Sequence, residues 1–265
     1  MSRSEQLQLT LTGEGRQILL LGHGFGCDQT VWAPIREGLN AGYRVASYNL
    51  AGSGPRGDQA YDADIHGHVF GYADDLLAIL DEQQSGPVIY IGHSFSAMIG
   101  LVAAAARPQA FARLILLQGS PRYLNDIDYV GGFEPHQLEA IQQAMNASFF
   151  SWASGFTPLM LGPDRHDDDV AKFTETLFLM RPDIASNMLR MIFESDQRAV
   201  LPRVVTPVHL VHSHSDIAVP TETAYWLHEH LPGSTLDFLD LEGHIPHLTQ
   251  PGIVMDALKK ILGRP

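Results

Sequence analysis

Seven short apolar runs recur along the chain: "LQLTLT" from Leu7, "QILLL" from Gln17, "YRVASYNL" from Tyr43, "VIYI" from Val88, "LILL" from Leu114, "VHLV" from Val208 and "TLDFLDL" from Thr235. Each has the length and the side-chain character of a strand. Several are apolar throughout instead of alternating with polar residues, which is the pattern of strands buried on both faces. Between runs the period changes. Val69, Tyr72, Ala73, Leu76, Leu77 and Leu80 follow the i, i+3, i+4, i+7 spacing of one buried helix face. Strands alternating with helices predict an α/β chain with a mostly parallel central sheet and helices on both faces.

The alternation stops after "LILLQGSPRY". From Asn125 to about Leu201 no strand pattern appears, and bulky aromatics accumulate: Phe149, Phe150, Trp152, Phe156, Phe173, Phe178 and Phe193. Pro158, Pro163, Pro182 and the acidic run "DRHDDD" from Asp164 divide this stretch into several short helices. "VTPVHLV" then restores the strand pattern. Residues 125–201 are therefore expected to form a helical lid inserted into one core made of residues 1–124 and 202–265. So much apolar surface without its own sheet must face the rest of the domain or a ligand.

Composition narrows the classes of function. The 265 residues, 45% of them hydrophobic, suit a single core. With 30 acidic against 17 basic residues the formal net charge is −13, which repels phosphate backbones and anionic membrane surfaces, so neither nucleic acid nor membrane is expected as a partner. No apolar run reaches the roughly 20 residues that span a bilayer. The single cysteine, Cys27, leaves no internal disulfide, and "MSRSEQLQLT" lacks the apolar centre of a signal peptide. Both features suggest the cytoplasm.

Chemistry concentrates where strands end. In "VIYIGHSFSAMIG" the hydroxyl of Ser94 stands between a strand and a small-residue helix, the context of a nucleophile elbow. The usual G-x-S-x-G ends here in Ser96, a small residue that adds crowding; a serine at this place also serves as an ordinary helix cap. A serine becomes a useful nucleophile when a histidine takes its proton and a carboxylate orients that histidine. Asp216 in "HSHSD" follows one strand and His244 in "LEGHIPHL" follows another, giving the chain order Ser94, Asp216, His244. His247 competes with His244 as the base, but "EGH" sets His244 immediately after the strand-ending glycine and so favours it; Asp216 doubles as a helix-cap candidate. "LLLGHGFG" supplies a glycine-rich turn whose Phe25 N–H, with the Phe95 N–H, would hold an oxyanion. His23 and His93 read as hydrogen-bonding residues of the two turns, and His66 and His68 as solvated. Cys27 reads as a small buried residue. His212, His214 and Asp216 alternate along a strand, so a metallohydrolase is a remote second reading; it leaves the elbow unexplained, and no metal or cofactor is expected.

Several longer strings, "GHGFGCDQTVW", "YNLAGSG", "GHSFSAMIG", "SPRYLNDIDYVGGFE", "LFLMRPDIA", "FESDQRAVLP", "SDIAVP" and "EGHIPHLTQP", resemble the α/β-hydrolase fold nearly end to end. More narrowly, the chain is similar to the family of the bacterial stress-response regulator RsbQ and the plant karrikin and strigolactone receptors. The resemblance implies Ser94, His244 and Asp216 as triad, Phe25 and Phe95 as oxyanion donors, a lid of four helices, and Phe133, Phe156, Phe173 and Phe193 as pocket lining. Family members more often carry a smaller aliphatic residue at Phe95, which implies a narrower cavity here. Two functions follow: a serine hydrolase of small apolar esters, lactones or butenolide-like ligands, or a sensor whose lid engages a protein partner, a signalling phosphatase in RsbQ-like proteins and hormone-relay components in the plant receptors.

Overall fold

Each apolar run contributes a strand to the computed structural model, which describes residues 1–84 and 86–263. The strands are β1 (Thr10–Thr12), β2 (Ile18–Gly22), β3 (Arg44–Tyr48), β4 (Val88–His93), β5 (Phe111–Leu117), β6 (Val208–Ser215) and β7 (Thr235–Glu242). They form one sheet in the order β1-β3-β2-β4-β5-β6-β7. β1 is antiparallel to β3, and every other neighbouring pair is parallel. The first run yields less strand than its pattern suggests. Leu7 is buried at the end of a short helical turn, Arg3–Gln6, which opens on a Ser2–Glu5 capping box. Gln8, at φ 54°, then redirects the chain into the edge strand.

Around the sheet lie α1 (Ala33–Asn40), α2 (Val69–Gln83), α3 (Phe95–Ala106), α4 (Pro135–Ala147), α5 (Phe149–Leu161), α6 (Asp167–Phe178), α7 (Pro182–Glu194), α8 (Thr221–His230) and α9 (Pro251–Leu262). Alternate strand residues feed opposite layers. Leu19, Leu21, Ile89 and Ile91 pack with Ile35 of α1 and Val254 of α9. Leu20, Tyr90, Leu114 and Leu116 pack with Leu76 of α2 and Met98 of α3. Because both faces are covered, the central strands β2 and β4 are apolar or buried at odd and even positions alike.

Helices α4 to α7 lie between β5 and β6. The acidic run that breaks the pattern is the start of α6: Asp167, Asp168 and Asp169 occupy its first turn, where carboxylates meet the positive end of the helix dipole. Pro158, expected to end a helix, sits inside α5. Its neighbour Thr157 is buried and hydrogen-bonded to Thr174 of α6 at 2.7 Å, which anchors the helix there. Residues of α4, α5 and α7 join one core cluster and Leu161 and Phe173 the other, so the four helices straddle the carboxyl edge of the sheet. Among the described residues no helix is long and apolar enough to cross a membrane.

The topology places the site. From β2 the chain runs to β3 on one side and then to β4 on the other, so β2 and β4 are neighbours with Gly22 paired to Gly92. A crevice opens at such a switch point beyond the carboxyl ends of the strands. The turns after β2 and β4 both enter it.

Candidate active site

Ser94 leaves β4 and opens α3 with φ 55° and ψ −119°, a conformation L-residues rarely hold and one that stores about 1–3 kcal/mol of strain. The sharp turn needs small neighbours. A Cβ on Gly92 would stand 2.6 Å from the Ser96 carbonyl oxygen. Ser96 is accommodated because its buried hydroxyl donates to the His23 carbonyl at 2.6 Å, so the departure from glycine stitches the elbow to the neighbouring turn.

Asp216 follows β6 and His244 follows β7, which brings both to the same edge as Ser94. The Ser94 hydroxyl donates to His244 Nε2 at 2.8 Å, and His244 Nδ1–H donates to Asp216 Oδ2 at 2.7 Å. The second oxygen of Asp216 accepts the Ala218 N–H at 2.8 Å, which fixes the carboxylate's orientation. Side-chain exposures of 5% for His244 and 0% for Asp216 keep the pair away from competing water.

The two candidate oxyanion amides are set by their surroundings. Phe95 is the first residue of α3, so its N–H belongs to the terminal set that has no intrahelical acceptor and lies at the positive end of the dipole. The Leu50 N–H donates to His23 Nε2 at 3.0 Å. The His23 proton therefore sits on Nδ1, which donates to the Gly24 carbonyl at 2.8 Å. In a trans peptide the Gly24 C=O and the Phe25 N–H point in opposite directions, so His23 aims the Phe25 amide. Burial lowers the pKa of His23, which favours this neutral form.

A cavity of about 450 Å³ lies above Ser94 and His244. Phe25, Phe133, Phe156, Phe173 and Phe193 all line it. Of the remaining aromatics of α4 to α7, Trp152 also lines it and stacks on Phe156 at 4.8 Å. Phe149 is buried, whereas the exposed Phe150 packs edge-to-face on Phe178 at 4.9 Å. Sequence reasoning missed Tyr123, whose hydroxyl lies 3.4 Å from Ser94 Oγ at the cavity wall. Burial raises its pKa, so the phenol keeps its proton. Its place just beyond β5, at the shared strand edge, is the one signal that could have found it.

Three expectations change, and the place of His247 agrees with the preference for His244. The Phe95 ring does not narrow the cavity: it is 1% exposed, packs edge-to-face on Tyr72 at 5.1 Å and is absent from the cavity wall. The first turn of α3 sends its side chain to the core layer while its amide stays at the site. His247 stacks on Trp32 at 4.1 Å, and burial pushes its pKa down to about 3. His66 is not solvated. It is buried, 3.2 Å from Asp75, which Arg3 also grips at 2.6 Å, because the amino-terminal helical turn folds over α2. The alternation of His212, His214 and Asp216 fails where the register shifts between Ser213 and Ser215. His212 is buried, with a pKa lowered to about 4, and His214 is exposed against Phe238. No metal-holding group of three or more His, Cys, Asp or Glu exists among the described residues.

Residues 18–257 match the model of the alpha/beta hydrolase family. A probable esterase of Oryza sativa subsp. japonica is 44% identical over 256 residues, covering 96% of this chain and 94% of that protein. A karrikin insensitive 2 receptor of Petunia hybrida is 43% identical over 255 residues (96% and 94% covered), and a strigolactone esterase of Arabidopsis thaliana 41% over 261 (98% and 97% covered). Among solved structures, a hydrolase from Oleispira antarctica superposes with a TM-score of 0.95 at 28% identity, covering 99% of this chain and 97% of that one. With the fold, the strand-edge constellation and these likenesses together, the chain belongs to the alpha/beta hydrolase family, as a serine hydrolase that groups with the plant karrikin-receptor and strigolactone-esterase proteins.

Proposed function

We propose that this protein cleaves small apolar esters or lactones with Ser94 as nucleophile, His244 as general base and acid, Asp216 as its orienter, and the Phe25 and Phe95 amides as oxyanion donors. The observation that carries the reading is the unbroken chain from Ser94 through His244 to Asp216, at 2.8 and 2.7 Å, on the floor of an apolar cavity. An ester acyl group settles among Phe133, Phe156, Phe173 and Phe193. Ser94 Oγ attacks the carbonyl carbon as its proton passes to His244 Nε2. The carbonyl oxygen gains negative charge against the two amides, each worth about 10²-fold to 10³-fold in rate. The tetrahedral adduct then expels the alcohol, which leaves with the proton from His244. Water, deprotonated by the same imidazole, releases the acid and restores Ser94. A single buried thiol, Cys27, suits the reducing cytoplasm.

The test uses 4-nitrophenyl acetate and a panel of small lactones. Ser94→Ala is expected to lower turnover at least about 10³-fold in folded protein, and EDTA to change nothing. Undiminished cleavage by Ser94→Ala, or its loss in EDTA, overturns the serine mechanism.

A second reading, a ligand sensor that signals through its lid to a protein partner, is favoured by one contact. The His244 N–H donates to the Met160 carbonyl of α5 at 2.8 Å, joining the base to the lid. Three of the relatives carry the word receptor in their names. A ligand that raises the melting temperature of Ser94→Ala as much as that of wild type would separate sensing from turnover.

A further inference from the structure

Every backbone polar atom of the Gly243–His244 pair is held. The Gly243 N–H donates to the Ser215 carbonyl and the His244 N–H to the Met160 carbonyl, both at 2.8 Å. The Gly243 carbonyl accepts the Ser213 hydroxyl at 2.8 Å and Gln118 Nε2–H at 3.0 Å. The His244 carbonyl accepts His93 Nε2–H at 2.7 Å. His93 ends β4 and Gln118 follows β5, so two of these donors are side chains at the ends of the strand that carries Ser94 and its neighbour.

The details favour a built arrangement. A carbonyl only accepts, so the His93 proton must sit on Nε2. Nδ1 then carries a bare lone pair, and it has no partner among the described residues. Burial and the neighbouring imidazoles of His247 and His244 hold the His93 pKa well below the ordinary histidine value, so the ring stays neutral with one N–H. Gln118 is fully buried at φ 52°, a strained backbone for a non-glycine residue. Its Oε1 accepts the Ser213 N–H at 2.9 Å and its Nε2 also donates to the Ser213 hydroxyl.

We infer that His93 is a positioning residue for the base: its Nε2–H clamps the carbonyl of His244, and Gln118 clamps that of Gly243, so that the imidazole stays within reach of the hydroxyl on the next residue along. The nucleophile and the clamp on its base are consecutive in the chain, which ties their spacing to one peptide unit. The inference rests on the reading of His244 as the base.

The experiment exploits the geometry of amide side chains. In His93→Gln the amide nitrogen reaches about as far as Nε2, whereas in His93→Asn it reaches only the place of Nδ1, which makes no bond here. Steady-state hydrolysis of 4-nitrophenyl acetate by His93→Asn is expected to show kcat lowered about 10²-fold, the effect of an ångström-scale misplacement, with KM little changed. His93→Gln is expected to recover most of the loss at a similar melting temperature. Equal kcat values for the two variants, or a loss confined to KM, overturn the inference. If His93→Asn does not fold, Gln118→Met carries the test: it frees the other carbonyl and is expected to lower kcat in the same way, and an unchanged kcat overturns the clamp. His244→Ala runs alongside. Full activity there removes the triad reading itself, whereas lost activity there with a normal His93→Asn removes only the clamp.

Discussion

At Phe95 a single residue serves two layers. Its amide, at the mouth of α3, faces the crevice, while its ring fills the core against Tyr72. Phe95→Val is therefore expected to cost about 1–3 kcal/mol of stability and to leave the range of accepted esters unchanged. Melting temperature and ester selectivity measured on the same variant check this; a wider substrate range at an unchanged melting temperature would refute it. His247 differs from His244 in kind, because its ring is packed between Trp32 and His93 at centroid distances of 4.1 and 4.6 Å. His247→Ala should leave a cavity and lower stability by about 1–3 kcal/mol, with turnover per folded molecule largely kept, whereas His244→Ala removes turnover. Comparing kcat and urea midpoint for the two variants distinguishes packing from proton transfer.

Among elements, the end of α5 and the turn after β7 form one joint. Gly243, at φ 108°, lies so close to α5 that an added Cβ would collide with the Leu161 carbonyl oxygen, and a Cβ added at Gly162 would stand 3.0 Å from the Gly243 Cα at the same seam. The last carbonyls of a helix have no intrahelical donor, and here the His244 N–H answers that of Met160. Gly243→Ala must therefore push the lid helix away or pull the base turn out of place, besides straining a positive φ. The expected result is a fall in kcat of at least about tenfold with a lower melting temperature. A variant as active and stable as wild type would show that the joint does not hold the base.

For the whole molecule, the buried histidines dictate how stability depends on pH. The folded-state pKa is about 4 for His212 and about 3 for His247, against 6.5 for an unperturbed histidine. His23 and His93 are lowered as well, again mainly by burial. Below pH 6.5 the unfolded chain takes up protons that these native sites refuse, so their contribution is complete above that pH and is lost as pH falls toward 4. Each such histidine loses about 1.4 kcal/mol per pH unit in this window, and His212 with His247 about 4 kcal/mol by pH 5. Urea midpoints measured from pH 7.5 to 5 should drop steeply below 6.5. A flat profile would mean that the native core accepts these protons.

The features decided by neighbours along the chain were legible from the sequence. Apolar runs wide enough for strands, the helical spacing after Val69, the glycine turn before Phe25 and the small residues around Ser94 express local sterics and burial, and local sterics act within a few residues. They sufficed to specify the strands of the sheet and the turns that converge on its carboxyl edge. What the chain alone left open depends on which distant surfaces meet. His244 and His247 differ by three positions and share one residue type, yet one ends beside Ser94 and the other under Trp32, because the turn after β7 is clamped by Ser213, Gln118, Met160 and His93. The burial of His66 required Arg3 to fold across α2, and the inward turn of the Phe95 ring required the pocket beside Tyr72. Tyr123 became a neighbour of Ser94 only when β4 and β5 paired in register. Such contacts join residues far apart in the chain, and no periodicity within a window of the sequence records them; the sheet's strand order decides them by choosing which ends stand side by side.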